Sequence, residues 1–316
     1  MGKLRDRSCA GLWVWLAVFA APGPALAVQR ELIQDRKFER GFVLWKPEPG
    51  KLVRYGALNG LKADSDPVWS LYQWSSRFPF EDSLRAETSD GALIFKNAAK
   101  SVAIGGAAER EAMLSLAANT RVEYGAKARS AKDPWVHLLV QQDFDPPAAL
   151  DQLSTLRLKL AARLVRSNNL HAGDYSPDIH AAQFQLFFTV QNRNPKSAGY
   201  GDYLWFGVPL YDNRSRFAKA FKEQDFGGTA KYIFTPAGSE YSQASTHDGD
   251  WVAIDKDLLP MVREALEAAW SRGFLKDSKD VADYYIAGMN MGWELPGTFD
   301  VEMVVKGLSL VAVDKK

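Results

Sequence analysis

Two stretches of the chain, residues 183–191 and 203–211, alternate apolar side chains with amides and aromatic rings. Because side chains of a β-strand point alternately to its two faces, each stretch predicts a strand with one apolar face. The opposite face carries Gln183, Gln185, Tyr203, Trp205 and Tyr211. Amides hydrogen-bond to hydroxyl groups, and aromatic rings cover the apolar faces of sugars. The pattern therefore indicates either a glycan-binding platform or a sheet face that is partly exposed to solvent and binds no ligand.

Residues 135–144 and 282–294 repeat the alternation and place Gln141 and Asn290 among the hydrogen-bonding side chains. Asp143 and Glu294 are expected on the same strand face as these amides, because they are an even number of residues away from them. A glycosidase requires two carboxyl groups that face each other across a cleft. A lyase acting on acidic sugars would instead require a base and a positive charge that neutralises the substrate. His137 or a tyrosine provides the candidate base, and Arg193 the candidate charge. The residues are thus compatible with a glycan-binding protein, a hydrolase or a lyase. A structural envelope protein whose sheet face packs against a partner is a further alternative.

Metal chemistry has little support in the spacing of the potential ligands. The four histidines are His137, His171, His180 and His247, and none belongs to an HExxH or other short ligand motif. Calcium needs only oxygen ligands, so Glu39 and Asp300 remain candidates for a structural calcium that ties the two ends of the chain together. The alternative is that both carboxylates are solvated.

The first 27 residues have the features of a secretory signal peptide. Basic residues precede an apolar run, and Ala25-Leu26-Ala27 forms a small-residue cleavage site. We expect cleavage after Ala27 and a secreted or periplasmic protein of a bacterial-type cell, without a membrane span. Cleavage removes Cys9, the only cysteine, and thereby excludes a disulfide and a cysteine-ligated metal.

Residues 28–316 are predicted to form one all-β domain, a two-sheet sandwich or jelly roll with long loops. Further strands are predicted at residues 42–45, 92–95, 101–104, 112–116, 120–129, 156–164 and 299–313. Pro146-Pro147 is expected to end one strand and Gly307 to mark a β-bulge, while the aromatic run at 66–79 is expected to pin a loop. One amphipathic helix is predicted at 258–272, with Asp257 as its N-cap.

Charge argues against a nucleic-acid partner. The full chain has 39 Lys and Arg against 38 Asp and Glu, a formal charge of +1, and has no long basic run. A cell-envelope partner stays open, because neither charge nor composition excludes it.

The two ends of the chain resemble the galactose-binding-like β-sandwich family of carbohydrate-binding modules. The opening Phe38-Glu39-Arg40-Gly41 followed by Trp45 is similar to the start of such modules, and Phe299-Asp300-Val301-Glu302 to their closing strand. The resemblance implies a jelly roll that binds a poly- or oligosaccharide, with Glu39 and Asp300 near a structural calcium. It does not extend to the middle of the chain, which is also long for a module, so an enzyme remains an alternative.

Overall fold

The computed structural model describes residues 28–62, 64–89, 91–105, 113–125, 129–226 and 228–316. The predicted signal peptide and Cys9 therefore lie outside the described residues, as does the first residue of the strand predicted at 112–116. None of the helices in these ranges is long and apolar enough to cross a membrane.

The described residues form 17 strands that belong to two sheets. In chain order, the eight-stranded sheet contains β1 (Gln29–Glu31), β5 (Glu87–Ser89), β6 (Ala92–Lys96), β7 (Lys100–Gly105), β8 (Met113–Asn119), β10 (Leu153–Asn169), β15 (Val252–Asp257) and β17 (Phe299–Asp314). The nine-stranded sheet contains β2 (Gly41–Trp45), β3 (Arg54–Asn59), β4 (Trp69–Tyr72), β9 (Val136–Ala149), β11 (Gln183–Asn192), β12 (Tyr203–Asp212), β13 (Phe221–Gln224), β14 (Tyr232–Thr235) and β16 (Tyr284–Leu295).

Strand order places the predicted hairpin at the middle of the nine-stranded sheet. The order is β13-β14-β12-β11-β16-β9-β4-β2-β3, so β11 lies between its hairpin partner β12 and the late strand β16. The other sheet has the order β15-β10-β17-β8-β7-β6-β5, with β1 added beside β17. Both sheets therefore join early and late parts of the chain.

The core lies between the two sheets and follows the predicted period of two. Phe184, Leu186, Phe188 and Val190 on β11 are all fully buried. Trp293 on β16 reaches across the core, and its indole N–H donates to the carbonyl of Leu116 on β8 at 2.8 Å. The all-β, two-sheet sandwich predicted from the sequence is confirmed.

The predicted amphipathic helix is also present, as α2 (Leu259–Ser271), and packs against β10 and β12. The helix begins one residue later than predicted, so Leu258 and not Asp257 is its N-cap residue. Asp257, one position earlier, accepts a hydrogen bond from the backbone N–H of Leu259 at 3.1 Å. The same carboxylate accepts from the backbone N–H of Leu156 at 2.9 Å. Asp257 thus links the start of the helix to the eight-stranded sheet.

Two expectations about strands are wrong, namely the strand at 120–129, of which residues 126–128 lie outside the described residues, and the end of a strand at Pro146-Pro147. Residues 120–124 form a helix, α1 (Thr120–Tyr124), because the side chain of Asn119 caps its first turn and Gly125 ends it at φ 78°. Strand β9 continues past Pro146-Pro147 to Ala149. The pairing with β16 shifts register between the Gly288–Asp143 and Ile286–Ala148 pairs, so the prolines occupy an irregular segment that needs no ladder N–H.

Bulges decide which side chains leave the core. The predicted bulge at Gly307 is confirmed, because the pairing of β10 with β17 shifts there and Gly307 has a φ of 64°. A second shift lies between the pairs Phe184–Tyr211 and Gln185–Pro209, which inserts Leu210 on β12. The insertion turns Tyr211 into the core, where it is 5% exposed and packs on Trp293. The prediction that Tyr211 offers a surface for sugar stacking is therefore wrong.

Candidate active site

Four polar side chains stand side by side across the outer face of the nine-stranded sheet. Gln183 on β11 is paired with Asp212 on β12 and with Glu294 on β16, and Glu294 is paired with His137 on β9. Neighbouring strands lie about 4.8 Å apart. Gln183 also donates to the carboxylate of Asp212 at 3.0 Å, which Arg214 holds by a salt bridge. We call the outer face that bears these residues the amide face.

Glu294 differs from Asp212, the other acid of this line, because no hydrogen bond or ion pair from a described residue compensates its charge. Its side chain is half-buried. Burial raises the pKa of the Glu294 carboxyl from 4.5 to about 7, and the negative charge of Asp225 adds to the effect. A large fraction of this carboxyl is therefore protonated at neutral pH, as a general acid requires.

His137 stands beside Glu294 and is held in its neutral form. Burial lowers the pKa of His137 to about 4, against smaller opposing effects of the Trp135 carbonyl and of Asp225. The ring nitrogen Nδ1 lies 3.0 Å from the Trp135 carbonyl, which can only accept a hydrogen bond. The proton is therefore assigned to Nδ1, and Nε2 is left as an acceptor.

The loop between β13 and β14 brings a second carboxylate within electrostatic range of this pair. Asp225 accepts hydrogen bonds at Oδ2 from the backbone N–H and the hydroxyl of Thr229, at 2.7 and 2.8 Å. The Thr229 hydroxyl in turn accepts from the indole N–H of Trp205 at 3.2 Å. The loop is thus anchored to the amide face through Trp205, and its carboxylate raises the pKa of Glu294.

Asp143 lies far from Glu294, so the predicted carboxylate pair is wrong. Asp143 on β9 is paired with Gly288 on β16, six residues before Glu294 on that same strand. Six residues of a strand span roughly 20 Å, and a glycosidase pair is separated by about 5–9.5 Å. Asp143 instead shares a line across the sheet with Thr189 and Trp205.

The predicted binding residues are spread over the length of the amide face. Gln185 and Asn290 are buried, Gln141, Tyr203 and Trp205 are partly buried, and all have the predicted orientation away from the sandwich core. The Tyr203 ring contacts the Trp205 ring edge-on at 5.2 Å. Among the described residues, the Gln185 Oε1 atom is buried without a hydrogen-bond partner.

Arg193 follows the end of β11 that is opposite to Gln183. It is exposed, and its guanidinium donates to the Gln191 side chain at 3.3 Å. The ten residues that separate it from Gln183 span roughly 33 Å of strand. Arg193 therefore cannot neutralise an acidic sugar bound at His137 and Glu294.

The two carboxylates proposed as calcium ligands each pair with a basic side chain. Lys62 approaches Glu39 at 2.6 Å, and Arg166 donates to Asp300 at 2.9 Å. Glu39 precedes the nine-stranded sheet, whereas Asp300 belongs to the eight-stranded sheet. No group of three or more His, Cys, Asp or Glu side chains able to hold a metal exists within the described ranges. Calcium binding stays a prediction.

Several residues of the amide face were missed in the sequence. Trp45, Tyr72 and Trp74 form a stacked series beside β9, with ring centroids 5.8 and 4.6 Å apart. The aromatic run that contains Tyr72 was interpreted as a loop anchor, whereas its central part is strand β4. The period of two in Trp69–Tyr72 was the signal that identifies it. Asp225 had no signal, because it lies in a loop.

No protein-family model matches the chain, and no curated protein matches it. Among solved structures, it is similar to a thermostable cellulase derived from Cel12A of Rhodothermus marinus, at 12% identity and a TM-score of 0.40 over 78% of this chain and 100% of that one. It is also similar to a family 12 xyloglucanase from Bacillus licheniformis, at 10% identity and a TM-score of 0.40 over 72% and 95%.

A third similar structure is the xyloglucanase domain of NopAA from Sinorhizobium fredii in complex with cellobiose, at 9% identity and a TM-score of 0.34 over 75% and 97%. The resemblance to galactose-binding-like modules stays a prediction. The fold of this chain follows from its own strand pairing, and similarity at this level assigns it no activity.

Proposed function

We propose that this protein hydrolyses a glycan on the amide face, with Glu294 as the general acid. The observation that carries the proposal is a half-buried carboxyl, unpaired among the described residues, whose pKa is raised to about 7. A carboxyl used only to bind hydroxyl groups gains nothing from being held at this pKa, whereas an acid catalyst at neutral pH does.

In this proposal Glu294 donates its proton to the bridging oxygen as the bond from that oxygen to the sugar C1 breaks. Asp225 is assigned as the second carboxylate, which takes a proton from the water that attacks C1. The products are two shorter glycans, and one water is consumed. Attack by water on the face opposite to the leaving group predicts inversion at C1.

Elimination is less well supported than hydrolysis. His137 is a neutral base with an accepting Nε2, which suits a lyase, but Arg193 lies at the opposite end of β11. A lyase substrate carries a carboxylate that must be neutralised beside the base. The positive charge nearest to this line, Arg214, is already paired with Asp212 at 2.6 Å.

Glu294→Gln tests the hydrolase directly. Purified protein is incubated with a library of plant and bacterial polysaccharides, and new reducing ends and their anomeric configuration are measured. General acid catalysis is worth about 10²–10⁴-fold, so we expect a loss of that size in Glu294→Gln and a comparable loss in Asp225→Asn. Asp255→Asn, which removes an exposed carboxylate from the other sheet, is the matched control and should retain full activity. Wild-type rates in Glu294→Gln would refute the proposal.

Binding without turnover is the second candidate, favoured by the partly exposed Trp205 and the unpartnered Gln185 Oε1. In that case the wild type binds a glycan and releases no reducing ends, and Trp205→Ala lowers the affinity at least tenfold because stacking area at the centre of a site carries a large share of the energy. Leu204 and Phe206, buried on the opposite face of β12, should keep Trp205→Ala folded. Calorimetry of both proteins, with circular dichroism as the folding control, measures the difference.

We also propose export, on the basis of the basic start, apolar run and Ala25-Leu26-Ala27. Mass spectrometry of the protein from its native host should show an N-terminus at Val28. An intact Met1 would contradict export by this route.

A further inference from the structure

A cavity of about 380 Å³ opens on the amide face near β2, β4 and β9. Its size falls within the range of small-ligand sites. It is lined by Gln34, Trp45, Leu52, Val68, Ser70, Tyr72, Gln141, Gln142 and Asp143. Gln141 pairs with Asn290, four residues from Glu294 along β16, so the cavity begins roughly 13 Å from the proposed acid.

One wall of the cavity is aromatic and extends toward the proposed catalytic line. The half-buried Trp45 ring stacks on Tyr72 with an interplanar angle of 15°, and Tyr72 stacks on Trp74. The carbonyl of Trp74 accepts from the backbone N–H of His137 at 3.0 Å. The aromatic series therefore runs from beside His137 and Glu294 to the cavity.

Three polar side chains of the lining, Trp45, Gln141 and Asp143, lack partners within the described residues, whereas Gln34 and Gln142 hydrogen-bond to each other. The indole N–H of Trp45 is buried without an acceptor, which is costly unless water or a ligand supplies one. The side chains of Gln141 and Asp143 make no hydrogen bond or ion pair with any described residue. An indole donor, an amide and a carboxylate acceptor beside a flat ring match the hydroxyl groups and C–H face of a pyranose.

The charge of the lining limits which sugar fits. Of the described residues that line the cavity, Asp143 is the one charged side chain, and none is Lys, Arg or His. A carboxylate or sulfate on the sugar would be repelled by the like charge of the exposed Asp143, and no cation of the lining would compensate it. Neutral pyranoses and pyranoses that bear an amino group carry no negative charge, so both are compatible with this lining.

We propose that this cavity binds one pyranose unit of a glycan without negative charge, at a distance from the cleavage point, and that Asp143 rejects acidic sugars. The inference rests on the proposed function, because it assumes that the amide face binds a glycan. It adds a substrate class and a specificity residue to that function.

The first test varies chain length. Cellobiose and cellohexaose are titrated calorimetrically into Glu294→Gln, which prevents cleavage, and into double variants that add Trp45→Ala or Gln141→Leu. We expect each added substitution to weaken cellohexaose binding at least tenfold and to leave cellobiose binding within twofold. Gln141→Leu keeps the test valid if Trp45→Ala unfolds, and thermal melting identifies that case. Equal affinity for cellohexaose in Gln141→Leu and its parent would overturn the subsite.

The second test varies charge at constant linkage. The probes are cellohexaose, the β-1,4-linked glucosamine hexamer and cellohexaose oxidised to the uronic acid at C6. We expect the oxidised probe to bind at least tenfold more weakly than the better of the other two, and Asp143→Asn to remove most of this difference. Asp250→Asn, an exposed acid on a loop of the other sheet, is the matched control and should preserve it. An unchanged ratio in Asp143→Asn would overturn the role of Asp143, and the stronger of the two remaining probes identifies the sugar.

The two proposals can fail separately. Cleavage of any glycan by the wild type, together with hexamer binding that ignores Trp45 and Gln141, would leave the hydrolase and remove the subsite. Hexamer binding that depends on Gln141, without cleavage, would leave the subsite and remove the hydrolase. If the wild type neither binds nor cleaves any of the three probes, the subsite as stated is overturned.

Discussion

Two glutamates of this protein are withdrawn from water, and their surroundings are opposite. The Glu123 side chain is 2% exposed and pairs with Lys100, itself 1% exposed, at 2.9 Å. Glu123 also accepts from the hydroxyl of Ser76 at 2.6 Å and from the backbone N–H of Arg77 at 2.8 Å. Glu294 is half-buried on the amide face with no such partner among the described residues.

The contrast separates a carboxylate that organises the fold from one that is available for chemistry. Glu123 joins α1 to the segment after β4 and to β7, because Lys100 also donates to the carbonyl of Phe78 at 2.6 Å. A buried charge is tolerated when its hydrogen bonds are satisfied, and an unsatisfied one shifts its pKa instead. Perturbed and unpaired acids are therefore the better indicators of a functional site.

The largest effect on stability is expected from breaking the paired cluster. Glu123→Gln leaves the Lys100 ammonium buried without a counter-charge, which typically costs about 3–5 kcal/mol. Urea denaturation at pH 8 measures the free energy of unfolding. Glu294→Gln, the same substitution at the other glutamate, should cause no loss under these conditions. A cost of under about 1 kcal/mol for Glu123→Gln would mean that the cluster contributes little to the fold.

The unpaired glutamate should instead make stability depend on pH. Because the pKa of Glu294 is about 7 in the folded protein and near 4.5 when unfolded, the folded state binds the extra proton between these values. The free energy of unfolding therefore falls as pH rises from about 4.5 to 7, by up to roughly 3 kcal/mol. His137, with a folded pKa of about 4 against 6.5, has the opposite effect, and stability rises with pH from about 4 to 6.5.

These two dependences largely cancel in the wild type, and single variants reveal them. Between pH 5 and 7, Glu294→Gln should gain about 2–3 kcal/mol relative to wild type, whereas His137→Gln should lose a comparable amount over pH 4.5–6.5. Urea midpoints at half-unit pH intervals provide the measurement. Parallel pH profiles for all three proteins would show that neither side chain is perturbed as described.

The smallest effect is expected from an ion pair that water reaches. Arg166 donates to Asp300 at 2.9 Å and pairs with Glu302, and its side chain is 37% exposed. Arg166→Met should cost less than about 1 kcal/mol, since exposed pairs contribute little. The cost should shrink further in 1 M salt, which screens exposed charges. A loss as large as that of Glu123→Gln would remove the distinction between buried and exposed pairs.

Local pattern predicted most of the fold. The period of two in 183–191 and 299–313, and the apolar stripe of 258–272, gave strands β11 and β17 and helix α2 close to their observed bounds, with the cap one residue off. Local pattern failed where one inserted residue changes the phase, as at Leu210, which turned Tyr211 into the core. It also failed at Asn119, whose capping bond competes with strand formation in the residues that follow.

The site was only partly predictable, because the alternation along a strand assigns each side chain to a face of the sheet but does not tell which residues of neighbouring strands are paired. Gln183, His137 and Glu294 were placed on a common face, and the pairing of β11, β16 and β9 brings them into one line. The same reasoning gave Asp143 the correct face and the wrong neighbours, since it lies six residues along the strand. Asp225 belongs to a loop whose course over the sheet no local pattern specifies.

The pKa of Glu294 tests the central claim most directly. The carboxyl carbons of glutamate are labelled with carbon-13, the Glu294 resonance is assigned by its absence in Glu294→Gln, and its chemical shift is followed from pH 3 to 9. We predict a midpoint near pH 7, raised by burial and by Asp225, and a lower midpoint in Asp225→Asn. A midpoint near 4.5 in the wild type would contradict the account, because Glu294 would then be ionised at neutral pH and unable to act as the acid.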